Sequence, residues 1–376
     1  MPSRLTSLCH DMEPESLVQD RIEWSDGTDP QNLPEAVRFS FAELAGRVEI
    51  RPLSGGLLHR SFHVRVEGLE FVLQQVSEVF APEIHDNIQA VTEHLLARGF
   101  STAPLLPTVD RATSAMLGSL GRWRLMPHLG GASFSRLQSE AQAHSAGALV
   151  GRFHAAMRDF DRPLAPMGFP FRDTPHTLAA LGRAIDAHSD HRLAAEVAPL
   201  GARVLAAIEE LGPPPDLESR VIHGDLKLDN LLFESQEMPG RDCAFALIDL
   251  DTLMRAPLWV DLGDAWRSWC NRSGEDSSEA HFDMGFFAAS SKGFSEGYGA
   301  SLSDAERVSL VTATERMTLE LCARYVTDAL EECYFGWDES RFATRGEHNA
   351  LRAFGQWRFF EAACECRAER AELLEC

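Results

Sequence analysis

Apolar and polar positions alternate through the first third of this chain. Val48-Glu49-Ile50, then Ser61-Phe62-His63-Val64-Arg65-Val66, a Glu67-Gly68 turn and Phe71-Val72-Leu73-Gln74-Gln75-Val76 follow the two-residue period of half-buried strands, so a hairpin-rich sheet is predicted. The period then lengthens. Between Pro82 and Arg98, Ile84, Ile88, Val91, Leu95 and Leu96 fall on one helical face, and Gly99 supplies the stop. Two further strands are expected around Ala115-Met116-Leu117 and Arg122-Trp123-Arg124-Leu125-Met126. The Pro127-His128-Leu129-Gly130-Gly131 break after them has the composition of a hinge. From Ser135 onward the pattern is mainly helical, apart from short apolar strands on either side of one polar turn. Residues 1–34 are polar, acidic and weakly periodic. The expected division is therefore an extension over 1–34, a sheet-rich lobe over 35–129 and a helical lobe over 130–376, with no internal repeat.

The polar turn carries the chemistry. Val221-Ile222 precede His223-Gly224-Asp225-Leu226-Lys227-Leu228-Asp229-Asn230, and Leu231-Leu232-Phe233 follow it; Asp249 then emerges from a third apolar run, Ala244-Phe245-Ala246-Leu247-Ile248. Asp, Asn and Gly cluster in ordinary surface turns, but polar groups carried by three buried strands are not solvated surface. A phosphoryl-transfer centre needs a carboxylate to orient the attacking hydroxyl and accept its proton, then an amide oxygen and a second carboxylate for the metal on the nucleotide phosphates. Asp225, Asn230 and Asp249 have the spacing for those roles, and Lys227 is placed to neutralise charge on the transferred phosphate. Gly55-Gly56, ahead of the second strand, is read as part of a loop covering the phosphates rather than as a bare turn.

Composition narrows the partners. At 376 residues and 44% hydrophobic, the chain has material for two lobes. A formal charge of −22 opposes binding to nucleic acid or to an anionic membrane. No apolar run is long enough to span a bilayer, the N-terminus lacks a secretory pattern, and a cytoplasmic enzyme is expected. The eight cysteines include no Cys-x-x-Cys pair, which suits reduced structural thiols. Among fourteen histidines no His/Cys cluster stands out, and His154 and His176 read as helix and loop residues with ordinary partners.

H-G-D-L-K-L-D-N-L-L-F with L-I-D-L-D-T resembles the aminoglycoside phosphotransferase and choline kinase superfamily, relatives of the protein kinases. Leu53-Ser54-Gly55-Gly56-Leu57, Phe71-Val72-Leu73-Gln74, Phe171-Arg172-Asp173-Thr174-Pro175, Asp261-Leu262-Gly263-Asp264 and Arg324-Tyr325-Val326-Thr327-Asp328 with Tyr334-Phe335 resemble the N-acetylhexosamine 1-kinase branch, so the likeness runs from about residue 47 to 360. The resemblance implies an α+β, two-lobed protein-kinase-like fold with a small antiparallel-sheet N-lobe and a larger mainly helical C-lobe. It implies ATP and Mg²⁺, with Asp225 as catalytic base, Asn230 and Asp249 as magnesium ligands, and the backbone from Met126 through His128 to Leu129 as the adenine hinge. Asp261 is expected to tie the catalytic loop in place; a helix-start cap and an ion pair are the competing reading for Asp261, Asp264 and Arg267. One departure from the kinase pattern is Gln74, where a phosphate-binding lysine usually stands, with Asn87 where its glutamate partner would be. A strand-to-helix amide hydrogen bond is expected between them.

For the acceptor, the resemblance favours the anomeric hydroxyl of an N-acetylhexosamine, with His59, Arg324 and Tyr334 as substrate ligands. A solvated loop histidine is the competing reading of His59, and Trp266 and Trp269 are expected to be core residues. The same transfer to an aminoglycoside, choline, homoserine or another amino alcohol is the enzymatic alternative. A nucleotide-binding pseudokinase, suggested by Gln74 and Asn87, is the non-enzymatic one.

Overall fold

The computed structural model describes residues 33–53, 58–234 and 242–375. Residues 1–32, including Cys9, the Gly55-Gly56 pair and Cys376 lie outside the described residues. The chain is α+β and forms two compact units: the described residues up to Gly130 together with Asp161–Phe169, and Gly131–Phe160 with the described residues from Pro170 onward.

The first unit is a five-stranded antiparallel sheet with one helix before its first strand and another between its third and fourth. Helix α1 (Glu35–Ser40) precedes β1 (Val48–Leu53), β2 (Arg60–Val66), β3 (Leu69–Val76), α2 (Ile84–Leu96), β4 (Ala115–Met116) and β5 (Arg122–Pro127), and the strand order is β1-β2-β3-β5-β4. Alternation fixes the faces: Phe62, Val64, Val66, Phe71, Leu73, Trp123 and Leu125 form one apolar layer, closed by Val37, Phe41 and Leu44 from the α1 region. The opposite face carries His63, Glu70, Gln74 and Arg124 by strand parity. In α2, Ile84, Ile88, Val91 and Leu95 are buried as the pattern predicts, whereas Leu96 is 46% exposed. One residue beyond Leu95 is a rotation of about 100° around the helix, enough to leave the buried stripe.

The expected amide bond between Gln74 and Asn87 is not made. Gln74 Nε2 donates to Ser61 Oγ at 2.9 Å, and Arg124 Nε donates to Gln74 Oε1 at 2.8 Å. Asn87 instead clamps the returning segment: its Nδ2 donates to Ala165 O and its Oδ1 accepts from Ala165 N, both at 2.8 Å. Both ends of the buried amide are thereby satisfied.

The second unit is mainly helical. Its elements are α3 (Glu140–Ala156), α4 (Thr174–Ala187), α5 (Ala194–Leu211), β6 (Arg220–Ile222), β7 (Leu231–Phe233), β8 (Ala244–Leu247), β9 (Met254–Ala256), α6 (Leu258–Trp269), α7 (Met284–Tyr298), α8 (Asp304–Val311), α9 (Ala313–Glu331), α10 (Arg345–Glu365) and α11 (Arg367–Glu375). Helix α9 is buried on almost every side, with Leu319, Cys322, Val326 and Ala329 packed among α4, α5 and α10. Helices α3 and α7 meet backbone to backbone. A Cβ on Gly147 would lie 2.0 Å from Ser290 O, on Gly151 2.3 Å from Phe294 O, on Gly293 2.0 Å from His144 O and on Gly297 2.1 Å from Ala148 O. Only glycine allows that approach.

Two short antiparallel ladders, β6 with β9 and β7 with β8, hold the polar turn at its two ends. Among the described residues no helix is long and apolar enough to cross a membrane, and Cys243, Cys270, Cys322, Cys333, Cys364 and Cys366 are free thiols.

Candidate active site

Residues 223–230 connect β6 to β7, and helix α6 lies beneath them. Asp261, Ser268 and Trp269 reach the loop from it, two turns apart on one side of the helix. Asp261, wholly buried, accepts from His223 N at 2.8 Å and from Gly224 N at 2.7 Å, and lies 3.2 Å from His154 Nε2. Of its two readings, tether and helix cap, the tether is what the structure contains: no side-chain cap hydrogen bond is made at the start of this helix. Burial works against ionisation of Asp261, but the adjacent His154 imidazole, the His223 ring and the Gly224 N–H outweigh it and hold the pKa below its ordinary value. Ser268 Oγ accepts from Leu228 N at 3.1 Å, and Trp269 Nε1 donates to Leu226 O at 2.9 Å. Trp266 and Trp269 are core residues.

The loop also braces itself. His223 accepts at Nδ1 from Asp225 N at 3.3 Å, leaving Nε2 to donate to Ile248 O at 2.9 Å, and Thr252 Oγ1 donates to His223 O at 2.8 Å. Gly224 has φ +83°, and a Cβ there would meet Thr252 O at 2.5 Å, so glycine is required twice over.

Asp225 projects from this frame with its side chain 21% exposed. Its Oδ2 is 3.1 Å from Lys227 Nζ and accepts from Asn230 Nδ2 at 3.0 Å. Its Oδ1 makes no hydrogen bond among the described residues; Arg172 Nη2 stands 3.9 Å from it. Burial would raise the carboxyl pKa, but Lys227 and then Arg172 overcome that and hold it well below the usual carboxylate range. Burial likewise opposes the Lys227 charge, and Asp225 and Asp249 reverse the balance, so the ammonium is held above its ordinary value. Asn230 Nδ2 also donates to Asp225 O at 2.8 Å, which leaves the amide oxygen as the open end of that side chain.

Asp249 follows β8 in a left-handed conformation, φ +63°, which Asp tolerates better than most residues and which carries its carboxylate to an exposed position. The surrounding protein and then the buried Asp251 carboxylate raise its pKa, a crowding of negative charge that a cation relieves. An amide oxygen and carboxylate oxygens are the donors that magnesium takes.

Arg172 was given no role by sequence reasoning, and the structure makes it central. It sits at φ +54°, donates from Nε to Gly224 O at 2.8 Å and pairs through Nη2 with Asp264 Oδ2 at 2.9 Å. Asp264 is shared with Arg267, which bonds Glu275, and Tyr325 OH donates to Glu275 Oε2 at 3.1 Å. Arg172 also lies over the Phe171 ring, 4.9 Å from its centre. Arg324 occupies the same neighbourhood, 5.5, 5.3 and 5.1 Å from the ring centres of Phe171, Tyr334 and Phe335. Among the described residues its guanidinium has no ion pair and no hydrogen bond.

The remaining predicted site residues are in the sheet unit. Gln74 is tied to Ser61 and Arg124, so a buried cation stands beside it on the neighbouring strand. Met126 is paired with Val72 across β3 and β5. His128 N donates to Glu70 O at 3.0 Å, and its ring packs edge-on against His63. His59 is half-buried: its Nδ1 accepts from Ser77 N at 3.1 Å and its ring lies against Phe80.

Comparison with known proteins agrees with this chemistry. A family model described as "Phosphotransferase enzyme family" matches residues 49–299. A homoserine kinase of Granulibacter bethesdensis is 24% identical over 304 residues, 79% of this chain and 86% of the relative. Among solved structures, a spectinomycin phosphotransferase in complex with ADP and spectinomycin has a TM-score of 0.54 at 15% identity, covering 92% of this chain and 98% of that one. A microcompartment-associated aminopropanol kinase has a TM-score of 0.57 at 17% identity, with 90% and 97% covered. Both share the fold: a small antiparallel-sheet unit and a larger helical one.

Proposed function

Because this chain belongs to the phosphotransferase enzyme family and is a small-molecule kinase, we propose that it transfers the γ-phosphate of ATP to a hydroxyl of an uncharged polyhydroxylated acceptor, foremost the anomeric hydroxyl of an N-acetylhexosamine. The observation that carries the catalytic part is the Asp225 carboxylate, with Oδ2 held by Lys227 and Asn230 and Oδ1 left open. The acceptor hydroxyl donates to Oδ1; its oxygen attacks the γ-phosphorus, the bond from that phosphorus to the β–γ bridging oxygen breaks, ADP leaves and the proton passes to Asp225. A carboxylate with so low a pKa is a weak base, which suits a loose transition state in which the hydroxyl needs orientation more than early deprotonation. Lys227, kept protonated by Asp225 and Asp249, meets the charge on the moving phosphoryl group. Magnesium, held by the Asn230 amide oxygen and Asp249, supplies neutralisation of the nucleotide phosphates when bound.

On the sheet unit, Gly55, Gly56, Gln74 and the backbone at Met126 and His128 are assigned to the nucleotide. Arg124 beside Gln74 supplies the positive charge that the strand position lacks, which favours an active kinase over a pseudokinase. His59 stays assigned to the acceptor.

Arg324 supports an acceptor rich in oxygen. Its unpaired donors, backed by Phe171, Tyr334 and Phe335, suit hydroxyl and carbonyl oxygens of an acetamido sugar and oppose a purely cationic acceptor such as choline. The same feature favours one second reading. The carboxylate of homoserine would pair with Arg324, and the homoserine kinase relative adds weight to it.

An ADP-release assay with magnesium and ATP tests these readings against N-acetylglucosamine, N-acetylgalactosamine, homoserine, choline and kanamycin. Turnover on an acetamido sugar, with product NMR placing phosphate at the anomeric carbon, is the expected result. Turnover on homoserine alone replaces the first reading by the second. Asp225→Asn is expected to lower kcat by at least about a hundredfold while nucleotide binding persists, and Arg324→Ala to raise the acceptor KM without changing that for ATP.

A further inference from the structure

The sheet unit contains a side-chain cluster to which the phosphotransfer chemistry gives no role. His63 on β2, Glu70 on β3 and His128 just past β5 share the sheet face opposite the apolar layer. Their metal-competent atoms all lie within 4.8 Å of one another. His63 Nε2 and His128 Nδ1 are each 3.4 Å from Glu70 Oε2. Both nitrogens are sealed from solvent and neither makes a hydrogen bond, although buried polar atoms are nearly always satisfied. His63 as a whole is only 5% exposed.

The spacing decides what the cluster suits. A charge-assisted bond between an imidazole and a carboxylate closes to about 2.7–2.9 Å. Two donors on one tetrahedral ion, each about 2.1 Å from it, stand about 3.4 Å apart. The second separation is the one present, twice. Glu70 is also aimed: Arg65 takes its other oxygen, Oε1, from Nη2 at 2.5 Å and from Nε at 3.2 Å, which turns Oε2 toward the rings. The Glu70 and His128 side chains are 34% and 27% exposed, so an ion can enter and a water can complete its shell. Two imidazoles, one carboxylate and an open position form a zinc donor set.

We propose that His63, Glu70 and His128 bind a divalent transition-metal ion of the zinc type, with water as the fourth ligand. The ion clips β2, β3 and the segment after β5 together. Arg65, and Arg51 cross-strand from His63, oppose a dication and set the affinity below that of the same three donors without cationic neighbours. No short-range motif announces the site, because its ligands come from two strands and the segment after a third and meet only through the sheet register.

The test is titration of the full-length protein with Co²⁺ and then Zn²⁺, with magnesium in excess to occupy oxygen-donor sites, followed by calorimetry and visible absorption. One cobalt per chain with the intense absorption of a four-coordinate ion, displaced by zinc, is expected. His128→Gln, on the partly exposed ligand, and the isosteric Glu70→Gln are each expected to weaken binding by about tenfold or more, with circular dichroism showing that the fold is kept. Only the weak spectrum of an octahedral ion, no binding, or equal binding by wild type and both variants, which is adventitious capture by other thiols and imidazoles, would overturn the proposal.

Discussion

Replacing Asp261 by Asn keeps the shape of the side chain and removes one acceptor and the charge. In the native protein the two carboxylate oxygens take the His223 and Gly224 N–H groups at 2.8 and 2.7 Å in a fully buried site. An amide offers one oxygen to one of these donors and turns its NH₂ against the other. The orphaned buried N–H costs about 1–3 kcal/mol, and the surviving bond, no longer charge-assisted, is weaker by about 1 kcal/mol. The total is about 3 kcal/mol. Because the two N–H groups immediately precede Asp225, part of this loss is expected as displacement of the loop rather than as unfolding. A tenfold rate change corresponds to about 1.4 kcal/mol, so kcat is expected to fall by about ten- to a hundredfold with the KM for ATP nearly unchanged. ADP release measures the first effect and urea denaturation the second. The pH dependence has a definite sign. Asp261 has a folded pKa below its unfolded value of about 3.9, so its ionic contribution is complete above that value and is lost as the pH falls through the folded one. The stability gap between wild type and variant is therefore constant from neutrality to about pH 4 and narrows below it. A variant that keeps wild-type kcat while losing stability would refute the claim that Asp261 positions the catalytic loop, and one unchanged in both would refute the energetic reasoning.

Three other perturbations have expected outcomes. Arg172→Lys, unable to reach Gly224 O and Asp264 together, is expected to lower kcat and to destabilise by about 1–3 kcal/mol through the buried hydrogen bond it gives up, Asp264 keeping its pair with Arg267; kinetics and chemical denaturation check both. Gly224→Ala combines a left-handed backbone with a Cβ 2.5 Å from Thr252 O, so a loss of at least about 1–2 kcal/mol and of most turnover is expected by thermal shift and ADP release. Asn87→Ala is expected to free the Asp161–Phe169 segment by removing both bonds to Ala165, seen as faster amide exchange there and a stability loss of about 1–3 kcal/mol.

The sheet, the α2 stripe and the polar turn were legible because each is written in local periodicity or in a contiguous motif. Leu96 was misassigned because a helix end adds an apolar residue beside the stripe without burying it. Gln74 and Asn87 were matched with each other on spacing, whereas each found its partner at long range: Arg124 across the sheet and Ala165 on a segment that returns 78 residues later. The role of Arg172 was invisible for the same reason. Its role exists only where Gly224, Asp225, Asp264 and Glu320 converge, and no short window contains them. Asp261 was legible as to function but divided between cap and tether, which differ only in which backbone N–H groups it meets.

The glycine seam of α3 and α7 bears on how this enzyme tolerates change. Helix α3 carries His154, which reaches Asp261 and through it the catalytic loop, so the spacing of two helices is mechanically linked to the height of Asp225. Gly147, Gly151, Gly293 and Gly297 are therefore expected to be as intolerant of substitution as the proposed catalytic carboxylate, for reasons of thickness rather than chemistry. A survey of permitted substitutions would show two forbidden groups of equal depth. They separate only by what is lost: a methyl at the seam removes soluble protein, whereas a change at Asp225 leaves the protein in full yield and silences it.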